Sequence, residues 1–468
     1  DGRTLFLVGD PMQSIYRFRQ AEVRLFLEVR DHGLPGIVLE FLRLRANFRS
    51  VPALVDWANA SFGKVFPRAD DLVSSAIAFS PGVAARSGPD VESTAVTVHA
   101  SAGDDPHAEA DEVVRVVRDA LARWPAGSIG ILVRSRSHAA HVVPALRAAD
   151  IALAATELVA LGRTSLANDL LAITGALVHA GNRLAWLAVL RAPWCGLSLV
   201  DLERLGAVQD ERTLYELARD PLLLAGLTPE GRAGTSRVTA AFEAGLARLG
   251  QIPLRDVVEG IWLELGGPGI AGRELPLADL ILDEIGRQAV GDAHADLLAL
   301  AAALDKKPAS LADPGARVQV MTIHKAKGLE FDTVIVPGLG RGIRREERPA
   351  LLWQELGPHG ALDLLLAPLN ASGAASDPLY ELLWRLRARQ QLAETDRLLY
   401  VAVTRARERL HLFGQTKSGP GPVKGSLLDR LWTVVGAHWP APTLTTDDAP
   451  AAVDPAANWR QPPLRRLP

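Results

Sequence analysis

The sequence predicts an α/β fold, in which a parallel sheet is interrupted by a large all-helical insert. Near-continuous apolar runs of strand length alternate with helical patterns near the start of the chain and again near its end. Between about Ser165 and Pro314 the strand-like runs disappear, and apolar residues recur at helical spacing. The length of 468 residues exceeds what one hydrophobic core normally organises, so we expect two or three domains.

Composition narrows the class of protein. The formal net charge is −3 and the sequence pI is about 6.5, so any binding of nucleic acid would need a local basic track. The single cysteine, Cys195, lies between apolar neighbours, which predicts a buried thiol and fits a reducing cytoplasm. No apolar run is long enough to span a bilayer, and the first residues lack the features of a secretory signal. These observations favour a cytoplasmic location and no membrane partner.

The first elements of the predicted sheet come early in the chain. The run RTLFLVGD predicts a buried strand that leads into a turn. Because nothing precedes this strand to pair with it, we expect residues upstream to be missing. LEFLRLRANF is expected to be extended, and Ser50 is expected to cap a helix with Pro52 in its first turn. The apolar face of that helix is expected to contain Leu54, Ala58, Phe62 and Phe66.

Later patterns complete the sheet. AVTVHA and SIGILVRSRS predict strands on either side of the amphipathic helix DPHAEADEVVRVVRDALARW. After the helical insert, ARVQVMTIH, DTVIVPGL and RLHLFG predict strands, with a long helix over WRLRARQQLAETDRLLYVAVTRARE. The Pro/Ala/Thr-rich residues 440–468 are typical of a linker toward a further domain.

The stretch DPMQSIYRFRQAE combines a polar turn with rings and guanidinium groups. Gln13 follows the predicted strand and could sense a phosphate or a water there. Tyr16 and Phe18 offer flat faces to bases, and Arg19 offers charge to a nucleic-acid backbone. The alternative is that the apolar residues anchor a core and the arginines form a solvated face.

Two arginines are candidates for phosphate contact. Arg49 in NFRS precedes a helix N-terminus, which attracts anions, and its guanidinium could pair with two phosphate oxygens. Arg405 comes late in the predicted long helix, and arginines that reach a γ-phosphate across a cleft accelerate phosphoryl transfer about 10³–10⁵-fold. The alternatives are a solvated cation near a cap for Arg49 and a cation at a helix C-terminus for Arg405.

The stretch VMTIHKAKGLEFDTVIV places two lysines, a histidine and a glutamate between two core strands. Such polar groups are costly there unless they have partners. Gly328 permits a tight turn, and the neighbouring Lys327 offers charge. Glu330 could accept hydrogen bonds from a ribose, while Thr322 and His324 could donate to a backbone phosphate. The alternative is a polar loop between strands.

Two motifs that should face a nucleotide are absent from the sequence. It contains no G-x-x-x-x-G-K-[ST] loop, and no Asp-Glu pair ends an apolar strand as a magnesium site would. We therefore predict no metal ligand within this chain.

Four stretches, in order along the chain, resemble motifs of the UvrD/Rep-like superfamily 1 DNA helicases. LFLVGDPMQSIYRFRQAE resembles motif III, LRANFRS motif IV, VQVMTIHKAKGLEFDTVIVPGL motif V and DRLLYVAVTRARERLHLF motif VI. RFRQAE and LRAPWCGLSLVDL resemble the RecB/AddA-like branch, whose members often carry a nuclease domain after the motor. The resemblance covers about Thr4 to Gly414, and Gln20 departs from it by replacing a small glycine.

The resemblance implies a RecA-like P-loop NTPase-type sheet and a division of the chain. The expected parts are a remnant of the first RecA-like domain over 1–35, the second RecA-like domain over 36–165 and 316–417, the helical insert over 166–315, and a linker over 418–468.

The resemblance also implies roles for individual residues. Gln13, Arg49 and Arg405 are expected to be catalytic, with both arginines reaching the γ-phosphate. Further ATP contacts are expected from Phe48, Lys327, Gly328 and Glu330, and DNA contacts from Tyr16, Phe18, Arg19, Thr322 and His324.

The function implied is part of an ATP-dependent 3′-to-5′ DNA helicase or translocase of DNA repair or recombination. ATP and Mg²⁺ are the implied cofactors, with the metal ligands in an expected missing N-terminal part, so this chain alone is not expected to hydrolyse ATP. DNA is the implied partner, with a possible nuclease domain or an AddB/RecC-like subunit. The alternative is a non-catalytic DNA-binding or scaffold subunit of a helicase–nuclease complex.

Overall fold

The structure of the chain is a computed structural model. The described residues are 4–17, 23–86, 95–103, 105–208, 211–291, 293–342, 347–356, 363–370, 377–416 and 421–439. They form two compact units: the first is drawn from residues 1–154 and 314–445, and the second from residues 155–313.

The helices and strands of the described residues are numbered in chain order. The helices are α1 (Val23–His32), α2 (Pro52–Val65), α3 (Pro106–Arg123), α4 (Val142–Ala148), α5 (Ser165–Val178), α6 (Arg183–Arg191), α7 (Leu199–Gly206), α8 (Leu214–Leu217), α9 (Pro221–Ala225), α10 (Pro229–Leu246), α11 (Leu254–Glu264), α12 (Gly267–Ala271), α13 (Ala278–Gln288), α14 (Leu297–Lys306), α15 (Pro378–Val403) and α16 (Leu427–Val435). The strands are β1 (Ala46–Asn47), β2 (Val83–Ala84), β3 (Val96–Ala102), β4 (Ile129–Val133), β5 (Leu153–Ala160), β6 (Ala289–Val290), β7 (His294–Ala295), β8 (Pro308–Ala312), β9 (Val318–Thr322), β10 (Phe331–Val336), β11 (Leu351–Leu356), β12 (Asp363–Pro368) and β13 (Ala406–Thr416).

The first unit contains a parallel sheet with strand order β3-β13-β10-β4-β9. All five residues of β4 are buried, as expected for an apolar strand that is covered on both faces. Residues of α2, α15 and α16 share one core with β10 and β13. The predicted parallel sheet is therefore confirmed for this unit.

Parallel pairing gives this sheet two chemically distinct edges. Phe331 of β10 and Ala406 of β13 are register partners where both strands begin, and we call this side the amino edge. Val133 of β4 and Thr322 of β9 are register partners where both strands end, and we call this side the carboxyl edge. The segment between β9 and β10 therefore crosses from the carboxyl edge to the amino edge.

The predicted first strand is not formed. Residues 4–10 have no regular secondary structure, and Phe6 and Val8 are 82% and 78% exposed. No described strand pairs with this segment, so its backbone has no ladder and its apolar side chains have no opposing layer. Its apolar pattern predicts a strand correctly only where a neighbouring strand is available.

Two local predictions about helix ends were also wrong. Helix α2 begins at Pro52 with Val51 as its N-cap, and Ser50 instead donates its hydroxyl proton to the carbonyl of Ala406. Helix α15 ends at Val403, so Arg405 lies between this helix and β13 rather than inside a helix. At Ser50, a contact with the first residue of β13 replaces the local cap.

The first unit also contains an antiparallel hairpin that was not predicted. Strands β11 and β12 pair with each other, and Leu352 and Ala367 on one face pack against Tyr380 and Leu383 of α15. The short runs LLWQEL and DLLLAP carry no strong strand signal by themselves.

The second unit is mainly helical, but the prediction of an all-helical insert was wrong. Its core includes Trp186, Trp194 and Phe242, together with Cys195, which is buried as predicted. Strands β6 and β7 form a short antiparallel pair, and β8 lies next to β5. Only two residues of β8 are buried, which is too short an alternation to be recognised in the sequence.

No helix in the described part of the chain combines the length and the apolar character needed to cross a membrane.

Candidate functional site

Two arginines meet at the amino edge of the sheet. Arg405 is 1% exposed and donates from Nη2 to Oε1 of Gln13 and to Oγ1 of Thr404, each at 3.2 Å. Arg49 donates from Nη1 to the carbonyl of the same Thr404 at 3.0 Å and from Nε to Oε2 of Glu330 at 2.9 Å. We call these five residues the arginine cluster.

The partners of Arg405 give the cluster its chemistry. Its remaining hydrogen bonds go from Nε to the carbonyl of Val401 at 3.1 Å and from Nη1 to the carbonyl of Leu329 at 3.3 Å. All its hydrogen bonds to described residues therefore end on uncharged oxygens. Burial lowers the pKa of Arg405 to about 10, and the positive charge of Arg49 acts in the same direction. The guanidinium stays charged at neutral pH, and an anion placed here would relieve the repulsion between the two arginines.

The turn that carries Gln13 orients its side-chain amide. Asp10 caps the turn Pro11–Gln13 by accepting from the backbone N–H of Met12 at 2.9 Å. The other carboxylate oxygen of Asp10 accepts from Nε2 of Gln13, so Oε1 of Gln13 points toward Arg405. This pair of contacts holds the amide in one orientation beside the cluster.

Arg49 is held by contacts on both sides. The side chain of Asn47 accepts hydrogen bonds from the backbone N–H groups of Arg49 and Ser50. Arg86 donates to the carbonyl of Arg49 and forms an ion pair with Glu408 of β13. The chain therefore positions Arg49 from its own turn and from the sheet.

The other residues predicted to contact ATP are placed differently. Phe48 is 76% exposed beside Arg49, so its ring is available for stacking. Gly328 has φ of +90°, which requires glycine or strain, and so the turn before Glu330 depends on it. Lys327 lies with Nζ 5.0 Å from the ring centroid of Tyr16, so the structure places it against an aromatic ring rather than in the arginine cluster.

The predicted DNA-contacting residues lie toward the carboxyl edge. The hydroxyl of Tyr16 donates to the carbonyl of His324 at 3.2 Å, and the two rings are 6.2 Å apart. Thr322 ends β9, and its carbonyl accepts from the backbone N–H groups of Lys325 and Ala326. Phe18 and Arg19 lie outside the described residues.

A cavity of about 440 Å³ lies at the same edge. We call it the carboxyl-edge pocket. It is lined by residues after β4, β9 and β10 and by one stretch of α15: Arg134, Ser135, Ser137, His138, His324, Gly342, Gln391, Glu394, Thr395 and Leu398.

The carboxyl-edge pocket carries charges of both signs, from Arg134 and Glu394. Arg134 donates to Oγ1 of Thr395 at 3.0 Å, and burial lowers its pKa to about 10 while the charge of Glu394 opposes this shift. Burial, with the charges of Arg341 and Arg134, lowers the pKa of His138 to about 4, so its ring is neutral at neutral pH. Its Nδ1 is buried and makes no hydrogen bond with a described residue. The pocket thus offers donors and a neutral imidazole to a polar ligand.

The sequence patterns did not single out the residues that follow β4. Arg134, Ser135, Ser137 and His138 come directly after the buried run IGILV, so a cluster of polar residues at a predicted strand end was the available signal. Asp10 and Thr404, which orient Gln13 and both arginines, carried no sequence signal of their own.

Among the residues that the structure describes, no group of three or more His, Cys, Asp or Glu side chains is placed to hold a metal ion.

Comparison with protein families matches the regions of three of the four predicted motifs. Residues 281–416, which contain β9, β10, α15 and β13, match the UvrD-like helicase C-terminal domain. Residues 1–33, which contain Gln13 and Tyr16, match the UvrD/REP helicase N-terminal domain. The resemblance to UvrD-like helicases is confirmed. The arginine cluster is built from residues of both matched regions together with Arg49, which lies between them.

The chain is also similar to curated proteins that are named as the A component of an ATP-dependent helicase/nuclease. It is 30% identical to the protein of Desulforudis audaxviator over 88% of this chain and 37% of that protein. It is 26% identical to the protein of Acetivibrio thermocellus over 88% of this chain and 38% of that protein, and 25% identical to the protein of Geobacillus kaustophilus over 92% and 38%. The chain therefore matches less than two fifths of the length of these relatives.

Proposed function

We propose that this chain is part of an ATP-driven DNA helicase or translocase that acts in DNA repair or recombination. Movement in the 3′-to-5′ direction is part of the proposal, by resemblance to the UvrD/Rep-like proteins. The observation that carries it is the arginine cluster, because the guanidinium groups of Arg49 and Arg405 meet at Thr404, and the oriented amide of Gln13 accepts a hydrogen bond from Arg405. The relatives named as ATP-dependent helicase/nuclease components support the same function.

The cluster fits a nucleotide phosphate. Arg405 is buried, and its hydrogen bonds to described residues all end on uncharged oxygens. An incoming phosphate would therefore give this guanidinium an anionic hydrogen-bond partner. Arg49 would exchange its ion pair with Glu330 for the same phosphate, which would free that carboxylate for the ribose. ATP would supply the terminal phosphoryl group, while Phe48 would stack beside the base.

The remaining parts of the nucleotide site are assigned elsewhere. The sequence contains no phosphate-binding lysine loop and no paired magnesium carboxylates, so we assign the phosphate cradle and the Mg²⁺ ligands to a first RecA-like domain that would face the cluster. Within this proposal the first unit contains the second RecA-like domain together with the remnant of the first at residues 1–35, and the second unit is the helical insert. We also propose a cytoplasmic location and a partner subunit of the AddB/RecC-like kind.

DNA is proposed to bind toward the carboxyl edge. Tyr16 and His324 present rings close to the carboxyl-edge pocket, and Arg134 adds a half-buried cation. Stacked rings combined with positive charge suit single-stranded DNA. Thr322 would contribute a backbone contact at the end of β9.

The test is the substitution Arg405→Lys in the full-length protein. Lysine keeps the charge but cannot donate in the fork geometry of arginine, so ATP turnover in the presence of single-stranded DNA should fall about 10³-fold. The matched control is Arg409→Lys, four residues further along and outside the cluster, where the guanidinium lies 4.6 Å from the ring of Trp124. A wild-type protein that binds single-stranded DNA but hydrolyses no ATP would favour the scaffold alternative.

A further inference from the structure

One face of α15 follows the segment that carries Gln13 and Tyr16. Glu394 accepts a hydrogen bond from the backbone N–H of Arg17 at 3.0 Å and pairs with its side chain at 3.5 Å. Arg397, three residues later, donates from Nε to the carbonyl of Ser14 at 2.7 Å. Spacing of three or four residues keeps side chains on one face of a helix, so these two contacts form a row on α15. The contact of Arg405 with Gln13 continues the row beyond the end of the helix.

The middle contact of this row is a buried charge. Arg397 is 2% exposed, and it also donates from Nη1 to the carbonyl of Ser75 at 2.7 Å. Burial lowers its pKa to about 10, so it stays protonated at neutral pH. Both of these acceptors are main-chain carbonyls. Arg397 therefore holds the backbone at Ser14, and this contact does not depend on the side chain of residue 14.

The second acceptor is held in an unusual conformation. Ser75 has φ of +53°, which is uncommon for a residue with a side chain. Asp71 closes its loop by exchanging backbone hydrogen bonds with Ala76 and by accepting from the hydroxyl of Ser74. Such a conformation persists only where the surroundings determine it. The loop is therefore shaped to present this carbonyl to Arg397.

The residues on either side of Arg397 have other partners. Thr395 accepts from Arg134 of the carboxyl-edge pocket, and Asp396 forms a two-point ion pair with Arg430 of α16. One turn of α15 therefore contacts the pocket, the helix layer and the Gln13–Arg17 segment through different side chains. This separation lets the contribution of Arg397 be tested against that of an adjacent ion pair.

We propose that Arg397 is a positioning residue that couples the two edges of the sheet. It holds the backbone at Ser14, between Gln13 at the arginine cluster and Tyr16 at His324, so that a displacement of Gln13 on phosphate binding is transmitted to Tyr16. This inference rests on the proposed function, because it assigns phosphate to the amino edge and DNA to the carboxyl edge. Glu394 serves as the second hold on the same segment.

The decisive measurement is the ratio of DNA-stimulated to basal ATP turnover in the full-length protein. Arg397→Lys keeps the charge but loses the simultaneous contact with two carbonyls, and it should reduce the ratio about tenfold, which is a common size for coupling between sites. Arg430→Lys is the matched control, because it weakens a buried ion pair on the same turn of α15 without touching the Gln13–Arg17 segment. It should lower the melting temperature and leave the ratio unchanged.

The outcomes separate the inference from the proposed function. A wild-type protein without DNA-stimulated ATP turnover would contradict the proposed function itself. A stimulated wild type whose ratio is unchanged in Arg397→Lys, or equally reduced in Arg430→Lys, would overturn only the coupling. If Arg397→Lys does not fold, Glu394→Ala decides the question, because it removes the second hold at a less buried position and should also reduce the ratio. An unchanged ratio in that variant would overturn the coupling as well.

Discussion

The amino and carboxyl edges of the same sheet are built on different physical principles. At the amino edge, Arg405 is buried and each of its nitrogens donates to an oxygen of fixed position. At the carboxyl edge, residues from four segments surround a cavity of about 440 Å³ that contains both Arg134 and Glu394. The first edge fixes a few atoms closely, whereas the second leaves space.

This difference matches what each edge is proposed to bind. A terminal phosphate is small and always the same, so a site for it gains from donors that need no rearrangement. A strand that slides past must be held and released at each step, so a roomy surface with stacking faces suits it better. The row of contacts along α15 lies between the two edges, which is where a motor needs a connection.

The largest effect is expected from a substitution that changes the amino edge alone. Arg49→Ala removes one of the two guanidinium groups and leaves Glu330 without its closest cation. ATP turnover by the full-length protein should fall about 10²–10³-fold, as it does when one preorganised donor is removed from a transition-state site. The affinity for single-stranded DNA, measured by fluorescence anisotropy without nucleotide, should stay within about threefold of wild type because the mutated edge is not the DNA edge.

An equal loss of turnover and of DNA affinity in Arg49→Ala would contradict the division between the edges. The matched control is Arg409→Ala, which removes a guanidinium from β13 outside the arginine cluster.

The next effect tests the carboxyl edge. Tyr16→Leu removes the ring that lies against His324 and Lys327, and it should weaken binding of a single-stranded oligonucleotide about 5–20-fold, in the range of one stacked base. Trp124→Leu is the control, because Trp124 also carries a cation on its ring face, from Arg409, but lies before β4 at the amino edge. Equal weakening by both substitutions would show that any exposed ring with a cation contributes, and the assignment of DNA to the carboxyl edge would fail.

The sequence predicted the strands that frame both edges, because β4 is a continuous apolar run and β9, β10 and β13 each contain closely spaced apolar residues. It also pointed to Gln13, Arg49 and Arg405, which the structure brings together. The sequence could not predict which side chains from different strands would meet at either edge. The carboxyl-edge pocket joins Arg134 to His324 because β4 and β9 are neighbours in the sheet, and strand order is not a local property.

Two predictions of local structure were wrong for the same reason, since each depended on partners that are distant in the sequence. Ser50 has the residue type of a helix cap, but its hydroxyl is used by the carbonyl of Ala406, more than 300 residues away in the chain. The apolar run at residues 4–10 has the pattern of a strand, but pairing needs a neighbour that a local pattern does not report. Local patterns therefore identify elements, while partners that are distant in sequence decide how they are used.

The smallest expected effect is a dependence of the free energy of unfolding on pH that arises at the carboxyl edge. His138 at the carboxyl-edge pocket is buried and neutral, with its pKa lowered from 6.5 to about 4 by burial and by the charges of Arg341 and Arg134. In the unfolded chain the ring regains its ordinary pKa, so below about pH 6.5 the unfolded state binds more protons than the folded state. The free energy of unfolding should therefore fall as the pH is lowered, by about 1 kcal/mol from this residue between about pH 7.5 and pH 5.5.

Urea unfolding at each pH measures this loss, and His138→Gln should make the dependence on pH shallower by that amount. His107→Gln is the control, because His107 is exposed. His411, whose pKa is also lowered to about 4 by desolvation, contributes equally to all three proteins and cancels in the comparison. An unchanged slope in His138→Gln would mean that water or an acceptor already stabilises the protonated ring in the folded state. The pocket would then be more hydrated than the buried ring implies, and the carboxyl edge would differ still more from the tightly packed amino edge.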